Sequence, residues 1–117
     1  MRWWISGLLT VLVAGPAQAV FYDGNRLYEW CATPEGDPRY SWSSINCNGY
    51  VTGVIDSLEV AEKAGSGPIT VCVPSGATVQ QVRDVVLKYL TNHPEQRHTA
   101  AAILTILALR EAFPCSR

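Results

Sequence analysis

The amino-acid sequence predicts an all-α fold, a small disulfide-stapled bundle of about four helices. Three observations support this prediction. Apolar residues recur at spacings of three and four along several segments, which is the period of an amphipathic helix. Clusters of glycine and proline separate those segments from one another. The chain of 117 residues also has four cysteines without a CxxC pair, which favours two disulfides over a zinc site.

The first nineteen residues have the layout of a secretory signal peptide. Arg2 precedes an apolar run from Trp3 to Ala14, and a small-residue triplet, Ala17-Gln18-Ala19, follows it. The run is short for a membrane span, since a transmembrane helix needs roughly 20 apolar residues. We expect cleavage after Ala19, which leaves residues 20–117 as one periplasmic domain without a membrane segment. An uncleaved N-terminal anchor is the alternative.

Charge and composition give no reason to expect nucleic acid or an anionic membrane as a partner. The formal net charge of −1 becomes −2 when Arg2 leaves with the signal peptide, and no run of like charges is present. A mature domain of this length buries only about 60–65% of its unfolded surface. Two disulfides would therefore supplement a marginal core in an oxidising compartment.

The first two helices are predicted on either side of a short loop. Asp23-Gly24-Asn25 offers side-chain oxygens that can cap a helix running through Trp30 to about Cys31. The segment from Thr33 to Pro38 contains two prolines and a glycine, so it is expected to be a loop. Ser43 or Ser44 is expected to cap the second helix.

The second helix is predicted from one apolar face and ends at a glycine-rich stop. Its apolar residues are Cys47, Tyr50, Val51, Val54, Ile55, Leu58 and Ala61. Gly65-Ser66-Gly67-Pro68 is expected to end the helix. Residues 69–73 look locally like a strand, but no second strand is available to pair with them, so we expect extended coil.

The third and fourth helices are predicted around a His93-Pro94 connection. Thr78 and Gln81 fit a capping box at the start of the third helix, whose apolar residues are Val79, Val82, Val86, Tyr89 and Leu90. Pro94 is expected in the first turn of the fourth helix, which runs to Ala112. Residues 100–109 are apolar except for Thr105, so this helix is either central in the fold or buried against a partner.

Helix geometry ranks the three ways of pairing the four cysteines. Antiparallel third and fourth helices bring Cys115 near Cys72, and the same logic brings Cys31 near Cys47. A Cys47–Cys72 bond would require the connection to run back along nearly the whole second helix, about 30 Å, which is barely possible. We therefore favour Cys31–Cys47 together with Cys72–Cys115.

The residues that could support catalysis are few. His93 and His98 are the only histidines, and a metal would need a third ligand for which only Glu95 is near. Asp56 and Glu59 are better explained by a solvated helix face than by paired catalytic carboxylates. A GxSxG motif is absent, and oxidised cysteines provide no thiolate. We predict no catalytic, cofactor-binding or metal-binding residue, and no enzyme.

Aromatic residues around the first helix support binding instead. Trp and Tyr are enriched at interfaces, although a small core also needs them. We expect Trp30 to pack in the core, whereas Tyr40 and Trp42 are candidate partner-binding residues, with core packing as the alternative. His93 is the third such candidate. The candidate contact segments are residues 34–43, residues 65–76 and the His93-Pro94 turn.

Four strings then follow one another along the mature chain: FYDGNRLYEWC, CNGYVTGVIDSL, CVPSGATVQQVRDVVLKYLTNHPEQRH and ALREAFPC. This series resembles the Rap/Tai family, the periplasmic immunity proteins that neutralise peptidoglycan amidase toxins delivered by type VI secretion. The resemblance extends from Phe21 to Cys115. It implies a small all-helical, disulfide-bonded protein that works by binding, often as a homodimer.

Two hypotheses of function follow from these observations. The first is an exported immunity protein that occludes a cognate cell-wall amidase, so that peptidoglycan cannot enter the toxin's active site. The alternative is a periplasmic helical chaperone or stress protein that exposes apolar helix surface when acidified. The apolar fourth helix and the resemblance together also predict a homodimer.

Overall fold

The computed structural model describes Gly15, residues 20–67 and residues 70–115. Over these ranges the chain forms four α-helices and two isolated β-bridges but no strand, which confirms the all-α prediction. The helices are α1 (Gly24–Ala32), α2 (Tyr40–Lys63), α3 (Val79–Asn92) and α4 (Ala101–Ala112). None of them is long and apolar enough to cross a bilayer. The predicted signal peptide lies outside the described residues, apart from Gly15, and stays a prediction.

Two of the predicted helix caps are confirmed. The Asp23 carboxylate accepts a hydrogen bond from the Arg26 amide at 2.9 Å and caps α1. The Thr78 hydroxyl accepts from the Gln81 amide at 3.1 Å and caps α3. Each bond satisfies one of the backbone donors that a helix leaves unpaired in its first turn.

The predicted start of α2 is wrong. The helix begins at Tyr40 rather than after Ser43 or Ser44, and Ser43 is buried within its first turn. The reason is a turn upstream, where the Asp37 carboxylate accepts from the Arg39 amide at 2.8 Å and sets the helical direction earlier. At the other end α2 stops as expected, with Gly65 at a φ of 71°.

The predicted start of α4 is also wrong. Pro94 begins only a short 3-10 turn, Pro94–Gln96, and α4 itself begins at Ala101. The intervening residues bond to the N-terminal end of α1 instead of continuing a helix. The Gly24 amide donates to the Thr99 carbonyl at 2.9 Å, and the Ala101 amide donates to the Tyr22 carbonyl at 3.0 Å. The first amide of α1 therefore donates to the segment before α4, and the first amide of α4 donates to the segment before α1.

Helix α4 lies centrally in the fold. Ala101, Leu104, Thr105, Ala108 and Leu109 are buried, while Ile103 is 51% exposed. The only polar residue of this stretch, Thr105, is fully buried and donates its hydroxyl to the Ala101 carbonyl at 2.8 Å. Because its hydroxyl donates to a backbone carbonyl of the preceding turn, Thr105 can be buried without an unpaired hydrogen-bond donor in the core.

The buried core joins all four helices. It contains Leu27, Trp30, Cys31, Cys47, Val51, Val82, Val86, Leu90, Ala101, Leu104, Ala108 and Leu109. The burial of Trp30, at 4% exposure, confirms its predicted core role. Val79 departs from its predicted face and is 47% exposed. In the second half of α2 the apolar residues are half-buried or, in the case of Val60, exposed, so that half extends beyond the densest packing.

Both predicted disulfides are confirmed. Cys31–Cys47 joins the end of α1 to α2 with a Cα–Cα distance of 5.1 Å. Cys72–Cys115 joins the extended segment before α3 to the segment after α4, with a Cα–Cα distance of 5.0 Å. Over residues 70–73, Val71 forms one isolated bridge with Pro114 and no strand is present, which agrees with the prediction of extended coil. Ile69, the first residue of that prediction, lies outside the described residues.

Gly24→Ala should destabilise the fold because α1 approaches the 97–101 segment without room for a side chain. A Cβ there would meet the Leu104 Cδ1 atom and would lie 2.8 Å from the Arg97 carbonyl oxygen. We expect unfolding in urea to show a loss of about 1–3 kcal/mol. Gly76→Ala is the control, since its Cβ meets nothing within 4 Å. Equal stability of the two variants would contradict the close-approach argument.

Candidate partner-binding site

The loop between α1 and α2, residues 33–39, projects from a covalently closed base. The Cys31–Cys47 disulfide bridges the chain on either side of the loop, and both cysteines are buried. Thr33, at the start of the loop, is buried and donates its hydroxyl to the Glu29 carbonyl at 2.7 Å. Pro34, Glu35 and Gly36 are exposed at its tip. The base of the loop is therefore fixed while its tip faces solvent.

A side-chain clamp holds the second half of this loop. Asp37 accepts from the Arg39 guanidinium through both carboxylate oxygens, at 3.1 Å from Nε and 3.0 Å from Nη2. The backbone adds two bonds, from the Asp37 amide to the Pro34 carbonyl at 3.0 Å and from the Tyr40 amide to the Asp37 carbonyl at 2.9 Å. A two-pronged arginine–carboxylate pair fixes geometry better than a single contact does.

The same clamp sets the ionisation of Asp37. Hydrogen bonds from the Arg39 side chain, followed by one from its backbone amide, hold the pKa of the Asp37 carboxyl below its usual range. The pKa of Arg39 is raised in turn by its hydrogen bond to Asp37. The pKa of Asp37 is lower in the folded protein than in the unfolded chain, so ionised Asp37 stabilises the fold at any pH above the ordinary carboxyl pKa. That effect is lost as the pH falls through the lowered value.

Arg83 of α3 supports the base of the loop from the protein interior. It is buried, at 6% exposure, and donates to the Cys31 carbonyl at 3.2 Å and to the Ser44 hydroxyl at 3.1 Å. Its guanidinium carbon also lies 5.8 Å from the centre of the Tyr40 ring. The sequence analysis missed this residue, although its position one turn from Val79 and Val86 places it on the apolar stripe of α3.

Four aromatic side chains form a cluster beside the loop. The Trp30 ring contacts those of Tyr22, Trp42 and Tyr50 at centroid distances of 4.9, 6.1 and 6.4 Å. Trp42 is 57% exposed and Tyr22 is 44% exposed, so the cluster reaches from the core to the surface. The Trp30 Nε1 atom is buried, and no atom of the described residues accepts its hydrogen.

The three candidate partner-binding residues do not form one site. Tyr40 and Trp42 lie together in the first turn of α2, directly after the loop. His93 lies at the opposite end of α3 from Arg83, about 15 Å along the helix axis. Its ring stacks on Tyr89 at 4.1 Å, and its Nδ1 atom lies 2.8 Å from the Tyr89 carbonyl. His93 therefore caps the end of α3, and its ring packs against that helix.

Away from the loop, Arg97 is half-buried, donates to the Leu90 carbonyl at 2.7 Å and lies 3.7 Å from the centre of the Tyr28 ring. His98 is exposed, and Glu59 pairs with Lys63 one helical turn away at 2.8 Å. Hydrogen bonding to Lys63 lowers the pKa of Glu59. Across residues 20–67 and 70–115, no group of three metal-ligating side chains converges.

An apolar groove of about 490 Å³ runs between α2 and α4. Gly49, Gly53 and Ser57 form one side of it, and Tyr50, a member of the aromatic cluster, also lines it. Burial raises the pKa of the Tyr50 hydroxyl, while a backbone hydrogen bond with Ala102 acts in the opposite direction. The residues that line the groove carry no charge, although Asp56 and Glu59 are exposed next to its Ser57 and Leu58 end.

The family model of the Rap1a immunity proteins matches residues 23–115, which includes all four helices and both disulfides. The chain belongs to the Rap1a immunity protein family. Its members are inhibitors rather than enzymes, which confirms the prediction that this chain is not an enzyme and implies a toxin partner. Comparisons with curated proteins and with solved structures gave no match.

Arg83→Met should destabilise this immunity protein at the base of its loop. The substitution removes the donors to the Cys31 carbonyl and the Ser44 hydroxyl and leaves both groups buried or half-buried. We expect chemical unfolding to show a loss of about 1–3 kcal/mol. Lys88→Met, at an exposed position on the same helix, is the matched control and should change stability little. A similar loss for both variants would show that Arg83 has no special supporting role.

Proposed function

We propose that this immunity protein neutralises a peptidoglycan amidase toxin delivered by a type VI secretion system. In this proposal the signal peptide directs the protein to the periplasm, and the loop of residues 33–39 enters the toxin's substrate cleft. Occlusion needs no chemistry from the inhibitor, in agreement with an inhibitor family. The specific toxin class is suggested by the resemblance of the whole mature chain to the Rap/Tai proteins.

The observation that carries the proposal is the fixed geometry of the loop. Its base is closed by Cys31–Cys47, and its second half is held by the Asp37–Arg39 clamp. A segment that is ordered before binding loses little conformational entropy when it binds, which favours high affinity. Trp42, exposed directly after the loop, adds a large rigid ring of the kind that anchors protein interfaces.

The other two candidate contact segments are less suited to entering a cleft. The His93-Pro94 turn lies against its own helix, since His93 stacks on Tyr89 and caps α3. In the 65–76 connection, the Cys72 amide donates to the Phe113 carbonyl at 2.9 Å and thereby holds one part against the end of α4. The loop of residues 33–39 has a disulfide that joins the chain on both of its sides and an exposed tip between them.

A homodimer through the α2–α4 groove forms a second part of the proposal. The groove is apolar and uncharged, and Ile103 on α4 exposes half of its surface beside it. Gly49 and Gly53 have no side chain, and the space beside each is open, since a Cβ built there would meet nothing within 4 Å. A helix of a second copy can therefore approach this part of α2 closely. A two-fold dimer would bury this surface on both copies at once.

A co-expression assay tests the proposed function directly. Each amidase encoded next to this gene would be directed to the periplasm with and without the immunity protein, and cell lysis would be followed. Stoichiometric protection, together with a complex on size-exclusion chromatography, is the expected result. Failure to bind any such amidase, combined with protection of unrelated client proteins at low pH, would support the chaperone alternative instead.

Asp37→Asn should weaken toxin binding while the fold stays intact. The variant keeps the size of the side chain but removes the charge that Arg39 pairs with, so the loop must be ordered during binding. We expect the Kd for the toxin to rise about threefold to tenfold. Lowering the pH through the depressed pKa of Asp37 should weaken the wild type in the same way.

Glu59→Gln is the matched control for this change, because it breaks an exposed ion pair on α2 away from the loop. Titration calorimetry should find wild-type affinity for this control. Loss of affinity in both variants, or in neither, would remove the loop from the proposed interface.

Ile103→Glu should divide the proposed dimer into folded monomers. The side chain is half exposed in the single subunit, so a charge there is tolerated by the fold but not by an apolar interface. Light scattering at micromolar concentration should report one chain for this variant and two for the wild type. Val79→Glu, at an exposed apolar position in the first turn of α3, should remain dimeric. A monomeric wild type would show that α4 is simply the central helix.

A further inference from the structure

The two disulfides differ in their surroundings. Cys31 and Cys47 are 1% and 0% exposed, enclosed among the helices of the core. Cys72 is exposed, and Cys115 is half-buried. Thiol–disulfide exchange requires an attacking thiolate to reach one of the two sulfurs, so exposure decides which bond can react in the folded protein. Only the second bond meets this requirement.

The Cys72–Cys115 bond also lies at an edge of the fold rather than within the core. Around it, the Cys72 amide donates to the Phe113 carbonyl at 2.9 Å, and Val71 bridges to Pro114. These contacts hold the segment of residues 70–77 against the end of α4. The buried core residues all lie outside this segment.

The same segment forms one side of a second groove, of about 560 Å³. The groove is open between the second half of α2 and the extended segment, with Ile55 and Leu58 opposite Val71 and Val73. These four side chains are half-buried rather than buried. Val71, Val73 and Ala77 pack against the core without being enclosed by it, so the segment is held by this edge packing and by the disulfide.

We propose that Cys72–Cys115 is a thiol–disulfide exchange site for a dithiol protein, whereas Cys31–Cys47 is a permanent structural bond. A thiolate of the dithiol attacks the Cys72 sulfur, and the Cys72–Cys115 bond breaks. Cys115 leaves as a thiolate and takes a proton from solvent. The second thiol of the dithiol then attacks the mixed disulfide, which leaves Cys72 as a thiol after protonation and the partner oxidised to a disulfide.

Opening this bond frees one segment without unfolding the protein. Residues 70–77 separate from the end of α4, and the groove beside α2 widens. Helices α1 and α2 and the loop between them remain joined by Cys31–Cys47. The exchange site is thus independent of the proposed toxin inhibition, since it depends on the burial of the two bonds and not on a partner for the loop.

Reduction of the wild-type protein with dithiothreitol, followed by timed alkylation and peptide mass spectrometry, tests the difference between the bonds. We expect Cys72 and Cys115 to be alkylated at least about tenfold faster than Cys31 and Cys47, because the buried pair reacts only after opening of the core. Equal rates, or faster alkylation of Cys31 and Cys47, would overturn the proposal.

A trapping experiment tests the partner chemistry. A thioredoxin-type dithiol whose second cysteine is replaced by serine cannot complete the exchange, so it should remain attached to the folded protein through Cys72. No adduct, or an adduct on Cys31 or Cys47, would contradict the assignment.

A double variant, Cys72→Ser with Cys115→Ser, imitates the opened form. Hydrogen exchange should increase in residues 70–77 and 113–115 but remain at wild-type levels in α1 and α2. A variant that unfolds throughout would show that the bond supports the whole fold rather than one segment.

Discussion

The buried guanidinium of Arg83 joins three helices at one point. It extends from α3 to the last turn of α1, where it donates to the Cys31 carbonyl, and to the first turns of α2, where it donates to the Ser44 hydroxyl. The final carbonyls of a helix lack partners within the helix and carry the negative end of its dipole, so a cation is favoured there. The disulfide between Cys31 and Cys47 fixes the same place covalently. The loop that follows α1 takes its direction from this junction.

Local sequence patterns were sufficient for the fold class, for the caps at Asp23 and Thr78 and for the cysteine pairing, but not for the cap of α2. The caps at Asp23 and Thr78 depend on hydrogen bonds within four residues, which a sequence shows directly. The starts of α2 and α4 depend on other parts of the chain. Helix α4 begins late because the residues before it bond to the first turn of α1, more than seventy positions earlier. Hydrogen bonds between such distant residues cannot be recognised from the local sequence around residues 94–101.

The candidate site was predictable only in part. The position of Trp42 and Tyr40 next to a proline- and glycine-rich loop was visible in the sequence, but their exposure depends on where α2 begins. Arg83 could have been suspected, because a charged residue stands on the apolar stripe between Val79 and Val86. Its partners could not, since a carbonyl and a hydroxyl from two other helices have no sequence signature. The clamp between Asp37 and Arg39 lies within three residues and was overlooked.

The two disulfides link consecutive cysteines, so the covalent rings they close do not overlap along the chain. A polypeptide that enters an oxidising compartment with its N-terminus first presents Cys31 and Cys47 before either later cysteine. If each bond forms as its second cysteine arrives, the order of arrival alone yields the native connectivity. Under that condition no step that breaks wrong pairings would be needed, and the first ring would be complete before α3 and α4 had emerged.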